Sequence, residues 1–230
     1  MAVHENQLIA RLPRKARLSL LKLSEPVQLD LAEILCDGGK PMRHVYFPIE
    51  GFVSMVTLLD GKPVLEVGMV GSEGMIGAQL VLGVTEEPLH AIVQGAGSAW
   101  RIKSAVFRRE LSRSSDLRDG LNRYLHVTMT QLASSAACLR FHQIGPRLAR
   151  WLLMTQDRAH SNRFYVTHEF LAFMLGVRRV GITQSAAALQ RKGLVEYRRG
   201  NITILNRRGL IEAACGCYAT DAKAYAQLSR

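Results

Sequence analysis

The sequence predicts an α+β protein in three parts: a β-roll over residues 1–114, a long central helix over 115–142, and a C-terminal winged helix-turn-helix over 143–230. Three patterns predict it. Short β-prone runs, divided by glycines and turn dipeptides, fill Val27 to Trp100. Leucines and small residues then recur in steps of four and three as far as Leu139, and two short apolar-faced segments flank Gly176 ahead of a hairpin pattern. A chain of 230 residues is long enough to bury two cores.

Taken in order, Gln7 to Leu21 reads as one short helix, with Leu8, Leu12, Leu18 and Leu21 as its apolar face. The β-prone runs are Val45 to Phe47, Phe52 to Leu58, Val64 to Val67, His90 to Val93 and Ser98 to Ile102, with Asp60-Gly61 as a hairpin turn. So many short strands suggest a small antiparallel roll or barrel. From Ser115 to Leu139 the positions Leu121, Leu125, Thr128, Leu132, Ser135 and Leu139 carry the spacing of a coiled-coil seam. That seam is expected to form a dimer interface with the same helix of a second subunit. A further helix begins at Arg147, with Pro146 in its first turn.

The charge is uneven. Residues from Arg140 to Ile211 hold thirteen Arg or Lys against three acids, which is +10 of a net +11. A polyanion needs positive potential gathered on one surface, so the basic partner surface should be C-terminal. No run of about 20 apolar residues could span a bilayer, and Met1 to Arg17 is too polar for a secretory signal, so a cytoplasmic protein is expected. In that reducing compartment Cys36, Cys138, Cys215 and Cys217 are expected to be free thiols.

Thr167 can cap a helix from His168 to Leu175, Gly176 can end it, and a second helix runs from about Arg178 to Arg191. Ala172 is small where the helices cross, Gly176 follows four residues on for the turn, and Ile182 fills the shared core six residues later. Leu194 to Tyr197, the turn Arg199-Gly200-Asn201 and Ile202 to Leu205 then supply a wing. With Ile182, Ala186 and Leu189 turned inward, the second helix presents Arg179, Val180, Thr183, Gln184 and Ala187. Arg can pair with guanine, Gln with adenine, and Val or the Thr methyl with a thymine methyl, so Arg179, Val180, Thr183 and Gln184 are the expected base readers of double-stranded DNA. Thr167, Arg178, Arg191, Lys192, Arg198 and Arg199 are the expected phosphate contacts.

Other chemistry is thinner. Cys215-Gly-Cys217 and the i, i+4 pair Cys138 and His142 both have metal-ligand spacing, yet each supplies two donors where a closed site needs four, so no metal is assigned. A thiol- or metal-based redox sensor regulating DNA binding stands as the alternative. His44, His126, His160 and His168 are read as satisfied histidines. No nucleophile, base and orienting group cluster, and neither a P-loop nor a Rossmann fingerprint is present, so no enzyme and no cofactor are expected.

The order β-roll, long helix, winged helix-turn-helix resembles the Crp/Fnr family of bacterial transcription regulators over nearly the whole chain. The likeness is strongest in Thr167-His168-Glu169-Phe170-Leu171-Ala172, Gly176-Val177-Arg178-Arg179 and Leu189-Gln190-Arg191-Lys192-Gly193-Leu194-Val195. The resemblance implies a cyclic-nucleotide-binding-like jelly roll, a homodimer on a palindromic site, and RNA polymerase as a further partner. Val180 stands where the family has an acidic residue, which implies a different base preference. The clustered N-terminal cysteines of the family's iron–sulfur branch do not occur before Cys36.

The effector pocket departs further from the family pattern. Gly77-Ala78-Gln79-Leu80 and Leu89-His90-Ala91 align with the family's nucleotide-binding segments, but Ala78 replaces the Glu and Leu89 the Arg that hold ribose and phosphate. Burying a phosphate without a cation costs several kcal/mol, and His90 is a poor substitute for the missing Arg as a phosphate anchor. Any effector is therefore expected not to be cyclic AMP. Calorimetric titration should show no cyclic-AMP binding in the sub-micromolar range; tight binding would contradict this reading.

Overall fold

The chain enters through the buried side chain of Asn6. Its carbonyl oxygen accepts from the N–H groups of Leu8 and Ile9 at 3.1 and 3.2 Å, and its amide donates to the carbonyls of Pro48 and Gly74 at 2.9 and 2.8 Å. One residue thus caps α1 (Gln7–Ala10) and pins it to the roll. The computed structural model describes residues 5–60 and 62–228, so Gly61 of the expected turn lies outside the described residues. The single helix expected from Gln7 to Leu21 is two, because α2 (Arg14–Lys22) starts afresh after Pro13. A proline disfavours helical geometry in the residue before it.

Among the described residues nine strands follow: β1 (Glu25–Leu29), β2 (Ile34–Cys36), β3 (Lys40–Pro41), β4 (His44–Pro48), β5 (Phe52–Leu59), β6 (Lys62–Val70), β7 (Glu86–Glu87), β8 (His90–Gly95) and β9 (Gly97–Lys103). All pair antiparallel, in the orders β1-β9-β4, β2-β8-β5-β6 and β3-β7. Leu29, Tyr46, Val53, Val93 and Ala99 are among the side chains that fill the roll. After α3 (Ser104–Arg113), Ser114 caps the long helix α4 (Ser115–Phe141) by accepting from the Leu117 N–H at 3.2 Å.

One stripe of α4 faces its own chain. Leu117, Leu121 and Tyr124 pack with Ile9, Leu20, Phe47 and Phe107, and the Tyr124 hydroxyl donates to the Met75 carbonyl at 3.2 Å. This corrects the expected dimer seam. Leu121 is 2% exposed within the chain, and Ser135 is buried and accepts from Arg150 at 3.4 Å, so neither can meet a second subunit.

The remaining elements are α5 (Ile144–Ala159), β10 (Arg163–Tyr165), α6 (His168–Leu175), α7 (Arg179–Arg191), β11 (Val195–Arg198), β12 (Asn201–Ile204), α8 (Arg207–Ala213) and α9 (Cys217–Gln227). α5 is their hub. Its Leu148, Leu152 and Leu153 are fully buried, each contributing about 1.5–3 kcal/mol, in a core shared with α6, α7, the wing strands and Phe52, Val56 and Met69 of the roll. Its arginines reach outward from that core: Arg150 pairs with Asp221 of α9 at 2.6 Å, Arg158 with Glu73 of the roll at 2.8 Å, and Arg147 donates to the Leu175 carbonyl that ends α6. No described helix is long and apolar enough to cross a membrane.

A further contact joins roll and helix. The Glu66 carboxylate of β6 accepts from the indole of Trp151 at 2.9 Å and from the Ser54 hydroxyl at 2.5 Å. Burial pushes Glu66 up to about 7, with the two hydrogen bonds opposing. An unfolded glutamate titrates near 4.5. Between these values the folded chain keeps a proton that the unfolded chain has lost, so stability falls as pH rises through that window. Glu66→Gln should therefore make the fall in urea-unfolding stability from pH 4.5 to 7 shallower, with Glu87, likewise pushed by burial to about 7, keeping its share. Identical slopes in variant and parent would contradict the assignment.

Candidate nucleic-acid interface

The reading head is built from caps and turns. Thr167 caps α6 by accepting from the Phe170 N–H at 3.1 Å, and its hydroxyl proton remains free to donate. Gly176 ends the helix at φ +60°, where its N–H and that of Val177 donate to the carbonyls of Phe173 and Ala172 at 3.1 and 2.9 Å. A side chain at Gly176 would also strike Leu65 of β6, so this turn lies against the roll. Ala172 is buried at the crossing, and Ile182, Ala186 and Leu189 form the inner face of α7. Arg179, Val180, Thr183, Gln184 and Ala187 are exposed on the opposite face, as the sequence pattern requires.

Arg178 stands at the N-cap of α7 without a side-chain hydrogen bond to the helix, which leaves the first amides open to an anion. The wing follows as β11 and β12, paired from Val195 with Ile204 to Arg198 with Asn201. Its two-residue turn holds Arg199 at φ +50° and Gly200 at φ +83°, the backbone of a type I′ hairpin. Only glycine fits at Gly200, because a Cβ there would lie 2.5 Å from the Tyr165 ring. β10 adds a third strand beside β12, and the sequence reading did not include it.

Two residues, Tyr197 of the expected wing and His168, take contacts that the sequence pattern did not assign. Tyr197 donates its N–H to Gln190 Oε1 at 3.0 Å and its hydroxyl to the Val166 carbonyl at 2.6 Å, which locks the wing to the end of α7 and the entry of α6. His168 stacks on Tyr197 at 4.4 Å between ring centroids and sits with Nδ1 3.0 Å from the Thr183 hydroxyl. Burial, then the charge of Arg179, lower its pKa. The Thr183 hydroxyl also donates to the Arg179 carbonyl at 3.1 Å, so of the four expected base readers Thr183 is the one already engaged within the head.

The cations divide sharply by partner. Ion pairs among the described residues involve Arg17, Lys40, His90, Arg101, Arg150, Arg158, Arg207 and Arg208. Arg178, Arg179, Arg191, Lys192, Arg198 and Arg199 are exposed and belong to none of them. The sequence count overstated this surface, since Arg147, Arg150 and Arg158 are buried in α5 and Arg207 is held by Asp157 at 2.7 Å.

The six expected effector-pocket residues lie on the 3-10 turn that Gly77 opens and around the start of β8. Gly77 turns at φ +92° into a 3-10 turn over Ala78–Leu82, and Leu80 is buried with Leu117 and Tyr124 of the long helix. Leu89 packs into the interior of the roll, and His90 Nδ1 lies 3.5 Å from Asp37 Oδ1 and accepts from the Gly38 N–H at 3.4 Å. The buried side-chain amide of Gln79 has no hydrogen-bond partner among the described residues. The two weak metal-spacing pairs, by contrast, meet. Cys138 and His142 at the end of α4 face Cys215 and Cys217 at the start of α9.

Residues 146–213 match the family described as the Crp-like helix-turn-helix domain. The C-terminal head is therefore a Crp-like helix-turn-helix domain. Solved structures with the same fold include FixK2 from Bradyrhizobium japonicum, at 16% identity and TM-score 0.70 over 84% of this chain and 98% of that one. CLP from Xanthomonas campestris, described as a c-di-GMP-responsive global regulator, is similar at 18% identity and TM-score 0.66 over 84% and 99%. A CRP-family transcriptional regulator from Thermus thermophilus is similar at 22% identity and TM-score 0.64 over 83% and 99%. No curated protein matches this chain in sequence.

Proposed function

We propose that this chain is a Crp/Fnr-type transcription regulator that binds a palindromic DNA site as a homodimer, reading bases with α7 and gripping phosphates with the flanking cations. The observation that carries this is the set of six exposed, unpaired cations around one helix N-terminus and one hairpin. In this reading Arg178, Arg191, Lys192, Arg198, Arg199 and the hydroxyl of Thr167 contact phosphate. Arg179, Val180 and Gln184 project between them toward base edges, with the Thr183 methyl beside them.

The dimer surface follows from what α4 leaves uncovered. With Leu121 and Ser135 turned inward, Leu125, Met129, Leu132, Ala136 and Leu139 continue the four-three spacing on the other side, where Met129 is 68% exposed. Thr128, bonded to the Tyr124 carbonyl at 3.1 Å, sits at the edge of this stripe. Two chains joined there would present two α7 helices to successive major-groove faces, about 34 Å apart. RNA polymerase is the further partner that the family implies.

The test is binding to a palindrome selected from random duplexes. Arg179→Ala and Gln184→Ala should each relax preference at one base pair of each half-site by about 1–3 kcal/mol. Arg191→Ala should instead weaken all duplexes about equally. If the first two variants keep full sequence preference, α7 does not read the site.

A further inference from the structure

Four soft donors converge where the long helix ends. Cys138 and His142 lie one turn apart at the C-terminus of α4, and Cys215 and Cys217 bracket Gly216 just before and at the start of α9. One ligand atom from each lies within 4.8 Å of every other. The Cys138 and Cys215 sulfurs are 3.5 Å apart, and the Cys217 sulfur is 3.6 Å from His142 Nδ1. A tetrahedral ion with zinc's usual bond lengths would place two thiolate sulfurs about 3.8 Å apart, and a sulfur and an imidazole nitrogen about 3.6 Å apart. These two pairs already stand near that spacing, and all four donors lie within 4.8 Å of one another.

The surroundings suit an anionic centre. Three thiolates around a divalent cation leave one net negative charge, and the buried guanidinium groups of Arg147 and Arg150 act electrostatically on both Cys138 and Cys215. The Cys215 N–H donates to the Pro146 carbonyl at 3.3 Å, which fixes the ligand loop against the first turn of α5. Cys138 and Cys215 are buried, whereas His142 lies at the surface and Cys217 is half-buried, so an ion has a way in.

From this geometry we infer that Cys138, His142, Cys215 and Cys217 form a structural site for a thiophilic tetrahedral divalent cation, zinc, that fastens α9 to the end of α4. The site would span the bend between Phe141 and Ile144, where the long helix gives way to the DNA-binding head. All four positions are taken by protein ligands, which is the closed arrangement of structural zinc. Binding releases the thiol protons and holds together segments that are 77 residues apart in the chain.

The inference is tested on the full chain, purified with reductant and without chelator, and needs no DNA, so its outcome is separate from that of the DNA-binding proposal. Elemental analysis should find about one zinc per chain. After chelator stripping, cobalt should give the intense visible absorption of a tetrahedral ion together with sulfur-to-cobalt charge transfer. Cys217→Ser and His142→Ala, at the less buried ligands, should each weaken zinc binding at least about tenfold while circular dichroism stays that of the parent. A chain that holds no stoichiometric metal and gives only the faint colour of hydrated cobalt would overturn the site. So would unchanged zinc affinity in both folded variants, or recovery of iron with inorganic sulfide in place of zinc.

Discussion

An arginine taken out of water must be given an anion or a carbonyl, and α5 takes three out of water at once. Leaving one buried guanidinium unpaired costs several kcal/mol, so the partners of these three are fixed with the helix itself. Arg150 holds Asp221 of the last helix, Arg158 holds Glu73 of the β-roll, and Arg147 holds the carbonyl that ends the first helix of the reading head. Roll, head and C-terminal helix are thereby referred to a single rod. Trp151 adds a fourth tie to the roll through Glu66, and the aliphatic face of α5 fills the core between these points.

That arrangement explains how one kind of side chain does two jobs. Arginines with a carboxylate or carbonyl in reach hold the fold together, and those around α7 and the wing have none among the described residues. A solvated, unpaired cation contributes little to stability, and it is free to neutralise phosphate. Rigidity comes from elsewhere in the head: the Gly176 and Gly200 turns, the tie between Gln190 and Tyr197, and the stack of His168 on Tyr197 hold the cations in register.

The C-terminal half was legible because its signals are local. A cap at Thr167, a turn glycine at Gly176 and inward Ile182 depend on spacings of a few residues, and the structure places each as the spacing requires. What was not legible depends on contacts across the chain. Spacing alone gave Leu121 and Ser135 to a partner subunit, while the roll and α5 claim them, shifting the free stripe toward Met129. The role of Asn6 is invisible until Pro48 and Gly74 are brought to it, and β10 is too short to announce itself without β12. The four-donor cluster fails in sequence for the same reason, since each half is an unremarkable pair until α9 folds back on α4.

The charge pattern invites one direct measurement, the affinity of the full chain for a duplex as a function of salt. If the unpaired cations meet phosphate, the logarithm of the binding constant should fall linearly with that of salt concentration, by about 0.9 for each phosphate neutralised. Substituting Arg191 or Arg199 should each reduce that slope by about one. Negligible affinity at low ionic strength, or a slope indifferent to these substitutions, would contradict a DNA-binding role for this surface.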